Sequence, residues 1–334
     1  APSTRKRKLP LRIRNTPEMP PMRSMRSWSA CAALALLAAA RCGACAAQDA
    51  AAEATPAVSA PAQLSGTLAK LRGSGSIALG HRASSVPFSY LGARNEPIGY
   101  TVDLCRTLAA AIGEAVGRKL DIRWVPVTAE TRLDAVAGGE IDLECGSTTS
   151  NLERRKQVAF SPVIFVAGTK LLVKKGSSIR DFRDLAGKTV SVTRGTTNEK
   201  TLRDLSHKFN LGIRVQAAGE QAQGFAQVVR GQADAFASDD VLLRGLIAQH
   251  AATSDLEVLG DYLSYDPYGV VFRRDDPLLA QVVRDSFQAM AASGEIERHY
   301  RRWFLGKLPS GGSIGLPMSA QLESIIEAMA VKAQ

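Results

Sequence analysis

The chain has 334 residues, 45% of them hydrophobic and 22% charged, which is an ordinary globular composition and enough length for two domains. Its net charge of +10 is concentrated at the start, because residues 1–46 contain nine Lys or Arg and one acid, whereas the rest carries 33 bases against 31 acids. This near-neutral body argues against a nucleic-acid partner, since such a partner requires a basic footprint on the folded domain.

The first 46 residues have the pattern of an export leader. Arg23 and Arg26 precede an apolar run over 30–40, and Ala44-Cys45-Ala46 has the small residues of a cleavage site. The mature protein is therefore expected to begin near Ala47 and to reside in the periplasm. The apolar run is shorter than the roughly 18 residues that span a bilayer.

The cysteines fall into two groups. Cys31, Cys42 and Cys45 lie in the leader, so the C-x-x-C pair there is expected to be discarded with it. Lipidation of Cys45 is the alternative, but the residues before it suit an acylation signal poorly. Cys105 and Cys145 remain in the mature chain and can pair in an oxidising compartment, although the sequence leaves that pairing open.

After the leader, residues 47–64 are rich in alanine, which predicts a flexible N-terminus. A first unit of alternating strands and helices follows. Its predicted elements are a strand at 76–80, a helix at 102–116, a strand at 120–127, a short helix at 132–136 and a strand at 141–144. Such alternation indicates an α/β sheet with functional loops at its strand ends.

A second unit of the same kind begins near residue 169. Its predicted elements are strands at 169–173 and 189–193, a helix from 195 through 205, a strand at 213–217, a helix at 222–230 and a strand at 233–237. The chain then continues with a strand at 269–273 and helices at 277–290, 295–304 and 318–331. Two such units predict two lobes that face each other across a cleft.

One motif stands at the end of the strand at 141–144. Residues 144–154, ECGSTTSNLER, bring glycine, hydroxyl groups and an arginine together. Ser150 and Glu153 have the spacing of a capping box, which predicts a helix that begins at Ser150 and carries Arg154 in its first turn. Such a helix start with an arginine favours a carboxylate. A solvated cap is the alternative, because S-x-x-E is common.

Several blocks of the sequence, in the same order, resemble the periplasmic amino-acid-binding proteins of ABC importers (solute-binding protein family 3), and most closely their glutamate/aspartate-binding branch. The blocks are HRASSVPFSY at 81–90, the run at 144–155, FVAGT at 165–169, TRGTT at 193–197, and GQADA at 231–235 with Asp239-Asp240 after it. The resemblance covers residues 64–308. It implies an α/β, two-lobed periplasmic-binding-protein fold of type II, with the ligand cleft between lobes joined by a two-segment hinge.

The resemblance also implies how a free L-amino acid is held. Both charges of this zwitterion leave water at high cost unless each is paired. By resemblance, Arg154 holds the α-carboxylate and Asp239 holds the α-ammonium group. The assisting groups are the N–H groups near Thr149 and Thr197, the hydroxyls of Ser147 and Thr149, and the helix mouth that contains Thr196.

Selectivity is expected at other positions. Arg82 and Arg132 match the cations that hold the second carboxylate of an acidic amino acid in that branch. Two departures qualify this expectation, because Ala129 stands where the branch has a serine and Gln221 where it has a histidine. Gln221 donates a hydrogen bond but carries no charge. Aspartate, glutamine and asparagine therefore remain alternatives to glutamate.

The expected organisation follows from the same resemblance. Residues 65–166 and 269–308 form one lobe, 167–268 form the other, and 309–334 are a C-terminal tail. The expected partner is the membrane permease of an ABC importer, and the protein is expected to be a monomer. No cofactor and no metal are expected, because the four histidines make no ligand cluster. The alternative function is a dehydratase of cyclic acids on the same fold, for which Glu144 is the candidate acid or base.

Overall fold

A computed structural model of the chain describes residues 64–251 and 255–331. The leader, the cleavage site, Cys45 and the N-terminal segment up to residue 63 lie outside the described residues, so the predictions made for them stay predictions. Within the described ranges, no helix combines the length and the apolar character that crossing a bilayer requires.

The first half of the described chain forms α1 (Gly66–Ser74), β1 (Ser76–His81), β2 (Ser84–Ser85), β3 (Ser89–Leu91), β4 (Pro97–Ile98), α2 (Tyr100–Val116), β5 (Asp121–Pro126), α3 (Arg132–Ala137), β6 (Leu143–Glu144), β7 (Val158–Phe160) and β8 (Phe165–Ala167). The second half forms β9 (Thr169–Lys174), β10 (Thr189–Thr193), α4 (Thr197–Lys208), β11 (Arg214–Ala218), α5 (Gln221–Val229), β12 (Ala235–Asp239), α6 (Asp240–Gln249), β13 (Leu256–Leu259), β14 (Asp266–Tyr268), β15 (Val271–Arg273), α7 (Pro277–Ala292), α8 (Glu295–Tyr300) and α9 (Ala320–Ala330). Short 3-10 helices span Arg154–Lys156 and Phe182–Leu185, and a π-helical turn spans Arg301–Leu305.

The strands form two main sheets that define two lobes. The first lobe contains the sheet of order β5-β1-β6-β15-β7, and the second lobe contains the sheet of order β11-β10-β12-β9-β13. In each sheet the first three strands of this order run parallel, and the fourth strand, β15 or β9, runs antiparallel to both of its neighbours. The chain passes between the sheets along β8 and returns along β14, and these two strands pair with each other. This is the predicted two-lobed α/β fold.

Apolar spacing explains the longest helix of the first lobe. α2 buries one face, with Leu104, Leu108 and Ile112 fully enclosed, and it ends where Gly117 adopts a left-handed φ of 73° that favours glycine. An aromatic cluster lies beside it, in which Phe88 packs edge-on against Phe165 at 5.0 Å between ring centres. Phe88 is therefore a core residue.

A disulfide joins Cys105 of α2 to Cys145, which directly follows β6. Their Cα atoms are 6.1 Å apart, within the range that a disulfide requires. The structure thus pairs the two cysteines whose partnership the sequence left open. The bond closes a loop of 40 residues and fixes the strand end from which the motif at 144–154 departs.

Replacing both Cys105 and Cys145 with serine is expected to lower the free energy of unfolding by about 4 kcal/mol. The unfolded chain gains conformational entropy when a loop of this length is no longer closed. Urea unfolding of the two proteins measures the difference. A reductant should destabilise the unaltered protein and leave the double variant unchanged. Equal stability of the two proteins would contradict a structural role for the bond.

Candidate functional site

A small cavity lies between the two lobes, at the carboxyl ends of the parallel strands. Its lining follows β1, β6, β10, β11 and β12 and includes the first turns of α3 and α6. The cavity measures about 10 Å³, which is room for about one water molecule. A larger ligand therefore needs the lobes or the lining side chains to move apart.

Most of the residues predicted to form the site meet at this cavity. The structure brings together Arg82, Arg132, Ser147, Thr149, Thr196, Thr197, Gln221 and Asp239. Arg154 is the predicted residue outside the lining. Sequence reasoning missed two lining residues, Asn198 and Leu242. Asn198 directly follows Thr197 at the helix mouth that the sequence did identify.

Asp239 supplies the negative charge of the cavity. It ends β12, is 3% exposed, and accepts hydrogen bonds from the Asn198 amide at 2.8 Å and from the Tyr268 hydroxyl. Burial, together with the nearby charge of Asp266, raises the pKa of Asp239 to about 7. This carboxylate is costly to keep ionised, and a cation in the cavity would stabilise its charged form.

Arg132 is the cation of the cavity that has no anionic partner. It begins α3 and is 2% exposed. Its Nε has no hydrogen-bond partner, and no ion pair to it occurs among residues 64–251 and 255–331. Burial, followed by repulsion from Arg154, lowers its pKa to about 9. A buried, unpaired guanidinium calls for an anion.

Arg154 lies at the edge of the site and connects the lobes. Its guanidinium donates to the carbonyl oxygen of Thr149 at 2.9 Å and to that of Gly195, in the second lobe, at 3.3 Å. Burial lowers its pKa, and the charge of Glu144 acts in the opposite direction. Its partner Thr149 is a lining residue, so Arg154 lies directly behind the lining of the cavity.

The prediction of a helix that begins at Ser150 was wrong. The segment is a turn followed by the 3-10 helix Arg154–Lys156, and the Asn151 side chain accepts from the Arg154 N–H at 2.9 Å. The Ser150 hydroxyl instead accepts from the side chain of Arg155. The side chain of Asn151 thus caps the chain in place of the predicted capping box. This local hydrogen bond turns the chain before an α-helix can form.

The helix predicted after residue 195 does form and points its start at the cavity. Thr196 is the N-cap of α4, and its hydroxyl accepts from the N–H of Glu199 at 3.2 Å. The hydroxyls of Thr197 and Thr149 lie 3.3 Å apart, one from each lobe. This helix start offers N–H groups and a favourable dipole to a carboxylate.

Arg82 has an anionic partner, and that partner comes from the other lobe. Its Nη2 donates to both carboxylate oxygens of Glu220, at 3.1 and 2.9 Å. Glu220 precedes α5, whose first residue is Gln221. The amide oxygen of Gln221 accepts from Ser238 at 2.9 Å, so its NH2 group is what it can offer a ligand. Sequence reasoning named Gln221 but missed Glu220.

Glu144 lies close to the site's arginines but is not part of the cavity lining. It is fully buried, and one of its oxygens accepts from the Thr148 hydroxyl at 2.7 Å. The other oxygen has no hydrogen-bond partner within the described chain. Its charge favours the charged form of Arg132, but the two side chains form no ion pair.

Helix α6 joins the second lobe to the first by close packing. Val241 and Leu242 belong to the same apolar cluster as Val86. A Cβ added at Gly245 would collide with the carbonyl oxygen of Val86, and one added at Gly312 would collide with the carbonyl oxygen of Ala248. Gly245 therefore permits the approach of α6 to the first lobe, and Gly312 permits its approach to the C-terminal tail.

One known protein family matches most of this chain. The sequence matches the family model of bacterial extracellular solute-binding proteins, family 3, over residues 77–306. The chain belongs to this family.

Two relatives of this family 3 protein are similar over most of their length. An L-glutamate/L-aspartate-binding protein of Pseudomonas aeruginosa is 40% identical over 81% of the chain and 91% of its own length. A glutamate/aspartate import solute-binding protein of Salmonella typhimurium is 38% identical over 78% of the chain and 87% of its own length.

One solved structure has a similar fold. It is an ancestral amino acid-binding protein, a precursor of cyclohexadienyl dehydratase, with a TM-score of 0.62 and 28% identity. The match covers 71% of this family 3 chain and 99% of the ancestral protein.

Proposed function

We propose that the protein binds a free amino acid with an acidic side chain, glutamate or aspartate, and delivers it to the membrane permease of an ABC importer. The observation that carries this proposal is the buried guanidinium of Arg132, which has no anionic partner among the described residues, in a residue that lines the same small cavity as Asp239. A buried site whose cation and anion are not paired with each other suits a ligand that has both an ammonium group and a carboxylate.

Each charge of the ligand has a matching partner in this proposal. Asp239 pairs with the α-ammonium group, assisted by the hydroxyls of Ser147 and Thr149. The start of α4 and the neighbouring Arg154 hold the α-carboxylate. Arg132 then holds the carboxylate of the side chain.

An acidic side chain fits Arg132 better than an amide does. A carboxylate offsets the buried positive charge, whereas an amide leaves it uncompensated, and a hydrogen bond between charged groups contributes roughly 1.5 to 3 kcal/mol. The names of the two relatives support an acidic ligand. Gln221 and Ala129 keep the amides glutamine and asparagine as the second candidates, because neither residue supplies a charge.

Closure of the lobes follows from the division of these partners. We propose that residues 65–166 and 269–308 form the first lobe and 167–268 the second, with β8 and β14 as the hinge. Arg132 then belongs to the first lobe, and Asp239 and the start of α4 to the second. A ligand contacts all of them at once only when the lobes are together, so its binding favours closure.

The alternative of a dehydratase has less support. Such an enzyme needs a free acid or base that touches the substrate. Glu144, the candidate from the sequence, lies outside the cavity lining and accepts a hydrogen bond from Thr148. The two relatives are named as binding and import proteins. We therefore infer a binding protein rather than an enzyme.

Its cellular placement is proposed on the same basis. The family consists of extracellular solute-binding proteins, and the leader pattern at 1–46 fits export across the inner membrane. The Cys105–Cys145 disulfide fits an oxidising compartment such as the periplasm. We propose a monomer that is exported and cleaved near Ala47.

Calorimetric titration of the protein from Ala47 onward tests the proposal. Glutamate and aspartate are expected to bind at least tenfold more tightly than glutamine and asparagine, with arginine as a ligand of opposite side-chain charge that should not bind. Binding of no amino acid would refute the function. Tighter binding of the amides would refute only the choice of an acidic side chain.

Closure predicts an effect of Gly245. Replacing it with alanine adds a Cβ where the carbonyl oxygen of Val86 lies, so α6 can no longer approach the first lobe fully. Glutamate and aspartate should then bind about tenfold more weakly, by the same factor, because one step of closure is lost for both. Small-angle scattering with saturating ligand should show a larger radius of gyration.

Gly73 of α1 provides the matched control for Gly245. A Cβ added there meets no atom of the described residues within 4 Å, so Gly73→Ala changes helix propensity alone. It should leave the affinities unchanged. An equal effect of the two replacements, or no effect of Gly245→Ala, would contradict closure through α6.

A further inference from the structure

The ion pair between Arg82 and Glu220 differs from an ordinary surface ion pair. Arg82 is 1% exposed and the Glu220 side chain is 26% exposed, so the pair is shielded from most of the solvent. Its two residues are 138 positions apart in the sequence and come from opposite sides of the cavity. The Ser84 hydroxyl also donates to Glu220 at 3.2 Å. Glu220 thus has two polar partners in the first lobe.

Arg82 pairs with Glu220 and is also part of the cavity lining. Glu220 takes the Nη2 of its guanidinium, while the Nε is buried and has no hydrogen-bond partner among the described residues. Arg82 and Gln221 both line the cavity. A ligand carboxylate at this end of the cavity would therefore share one positive charge with a carboxylate of the protein.

We propose that Glu220 sets how strongly the site prefers acidic over amide side chains. This inference rests on the proposed function, because it concerns the same amino-acid site. Glu220 offsets the positive charge of Arg82 and repels a second carboxylate, which weakens binding of glutamate and aspartate. Glutamine and asparagine carry no side-chain charge and avoid that repulsion. Arg132 remains as the cation with no anionic partner in the described chain.

The competing explanation is purely mechanical. Glu220 joins the lobes, so it could act only by holding them together. A contact of that kind would strengthen the binding of every ligand by the same factor, since each ligand depends on the same closure. The ratio of the glutamine and glutamate affinities separates the mechanical from the electrostatic explanation. A change in lobe closure alters both affinities by the same factor and leaves the ratio unchanged, whereas a change of charge at Arg82 alters the ratio.

The test is the ratio of the dissociation constants of glutamine and glutamate, measured by calorimetry for the unaltered protein and for Glu220→Gln. Glutamine at this position keeps a hydrogen-bond acceptor for Arg82 and removes the charge. The ratio is expected to rise about tenfold, mainly because glutamate binds more tightly.

Glu130→Gln is the matched control. Glu130 belongs to the first lobe and pairs at 3.7 Å with Arg194 of the second, so its replacement removes the same charge from another contact across the cleft. It should change the ratio less than twofold. Glu220→Ser, which places a good N-cap residue before α5, should reproduce the effect of Glu220→Gln.

Two results would overturn the inference: an unchanged ratio in Glu220→Gln, or an equal rise in Glu130→Gln. In each of them the unaltered protein still binds amino acids, and the proposed function stands. If the unaltered protein binds no amino acid, the function and this inference fall together.

Discussion

Replacing Asp239 with asparagine is expected to weaken the binding of every amino acid about 100-fold or more, because the ligand's ammonium group loses its counter-charge in a buried site. The same replacement should stabilise the ligand-free protein at pH 8. The pKa of Asp239 is raised to about 7 in the folded protein, so keeping it ionised at pH 8 costs folding free energy that a neutral asparagine does not incur. Calorimetry and thermal unfolding measure the two effects.

The raised pKa also predicts how binding depends on pH. Below pH 7 the ligand-free Asp239 is increasingly protonated, and an ammonium ligand must displace that proton. Affinity should level off once the pH exceeds the Asp239 pKa of about 7. Well below that pH it should fall by up to about tenfold per pH unit, and each ligand bound should release one proton. An affinity that rises on acidification would contradict this role of Asp239.

Asp240 provides the matched control for Asp239. It is the next residue, is also buried, and accepts from the Tyr262 hydroxyl at 2.9 Å without lining the cavity. Asp240→Asn should leave the affinities and their pH dependence nearly unchanged. A loss of binding equal to that of Asp239→Asn would show that general charge near β12, rather than contact with the ammonium group, controls binding.

Replacing Arg132 with methionine is expected to weaken glutamate binding about 100-fold and glutamine binding by much less, because only the acidic side chain loses a charge partner. The ligand-free variant should be more stable than the unaltered protein. In the unaltered protein the buried guanidinium of Arg132 has a pKa lowered to about 9, and its Nε has no partner in the described residues. An apolar side chain of similar size removes this unfavourable burial.

Arg123→Met is the matched control for this second variant. Arg123 lies on β5, is exposed, and donates to the carbonyl oxygen of Glu140 at 3.3 Å, away from the cavity. Its replacement should change neither affinity nor selectivity. Equal losses for glutamate and glutamine in Arg132→Met would show that Arg132 holds the α-carboxylate, which all amino acids share, rather than the side chain.

The sequence predicted the strand ends well because apolar runs record burial. The strand predicted at 189–193 is observed as β10 (Thr189–Thr193), and the strand predicted at 233–237 is observed two residues later, as β12 (Ala235–Asp239). Residues at such ends meet in space once the strands are parallel, which is why eight predicted residues line one cavity. Helix α6 was missed, because its residues 240–249 adjoin β12 with no turn residue between them to mark a boundary.

Long-range partners were beyond reach of the sequence. Nothing near Arg82 in the chain indicates that Glu220, 138 residues away, takes part of its charge. Arg132 and Arg82 looked equivalent as cations for a second carboxylate, and the structure distinguishes them by which has an anionic partner. The helix at Ser150 failed for a local reason, since Asn151 competes for the cap.

A crystal structure of the protein with glutamate tests the central claim most directly. The account predicts lobes closed around the ligand, with its ammonium nitrogen on the carboxylate of Asp239 and its side-chain carboxylate on the guanidinium of Arg132, each at about 2.7 to 3.2 Å. A glutamate whose side chain points away from Arg132, or one bound outside the cavity between the lobes, would contradict it.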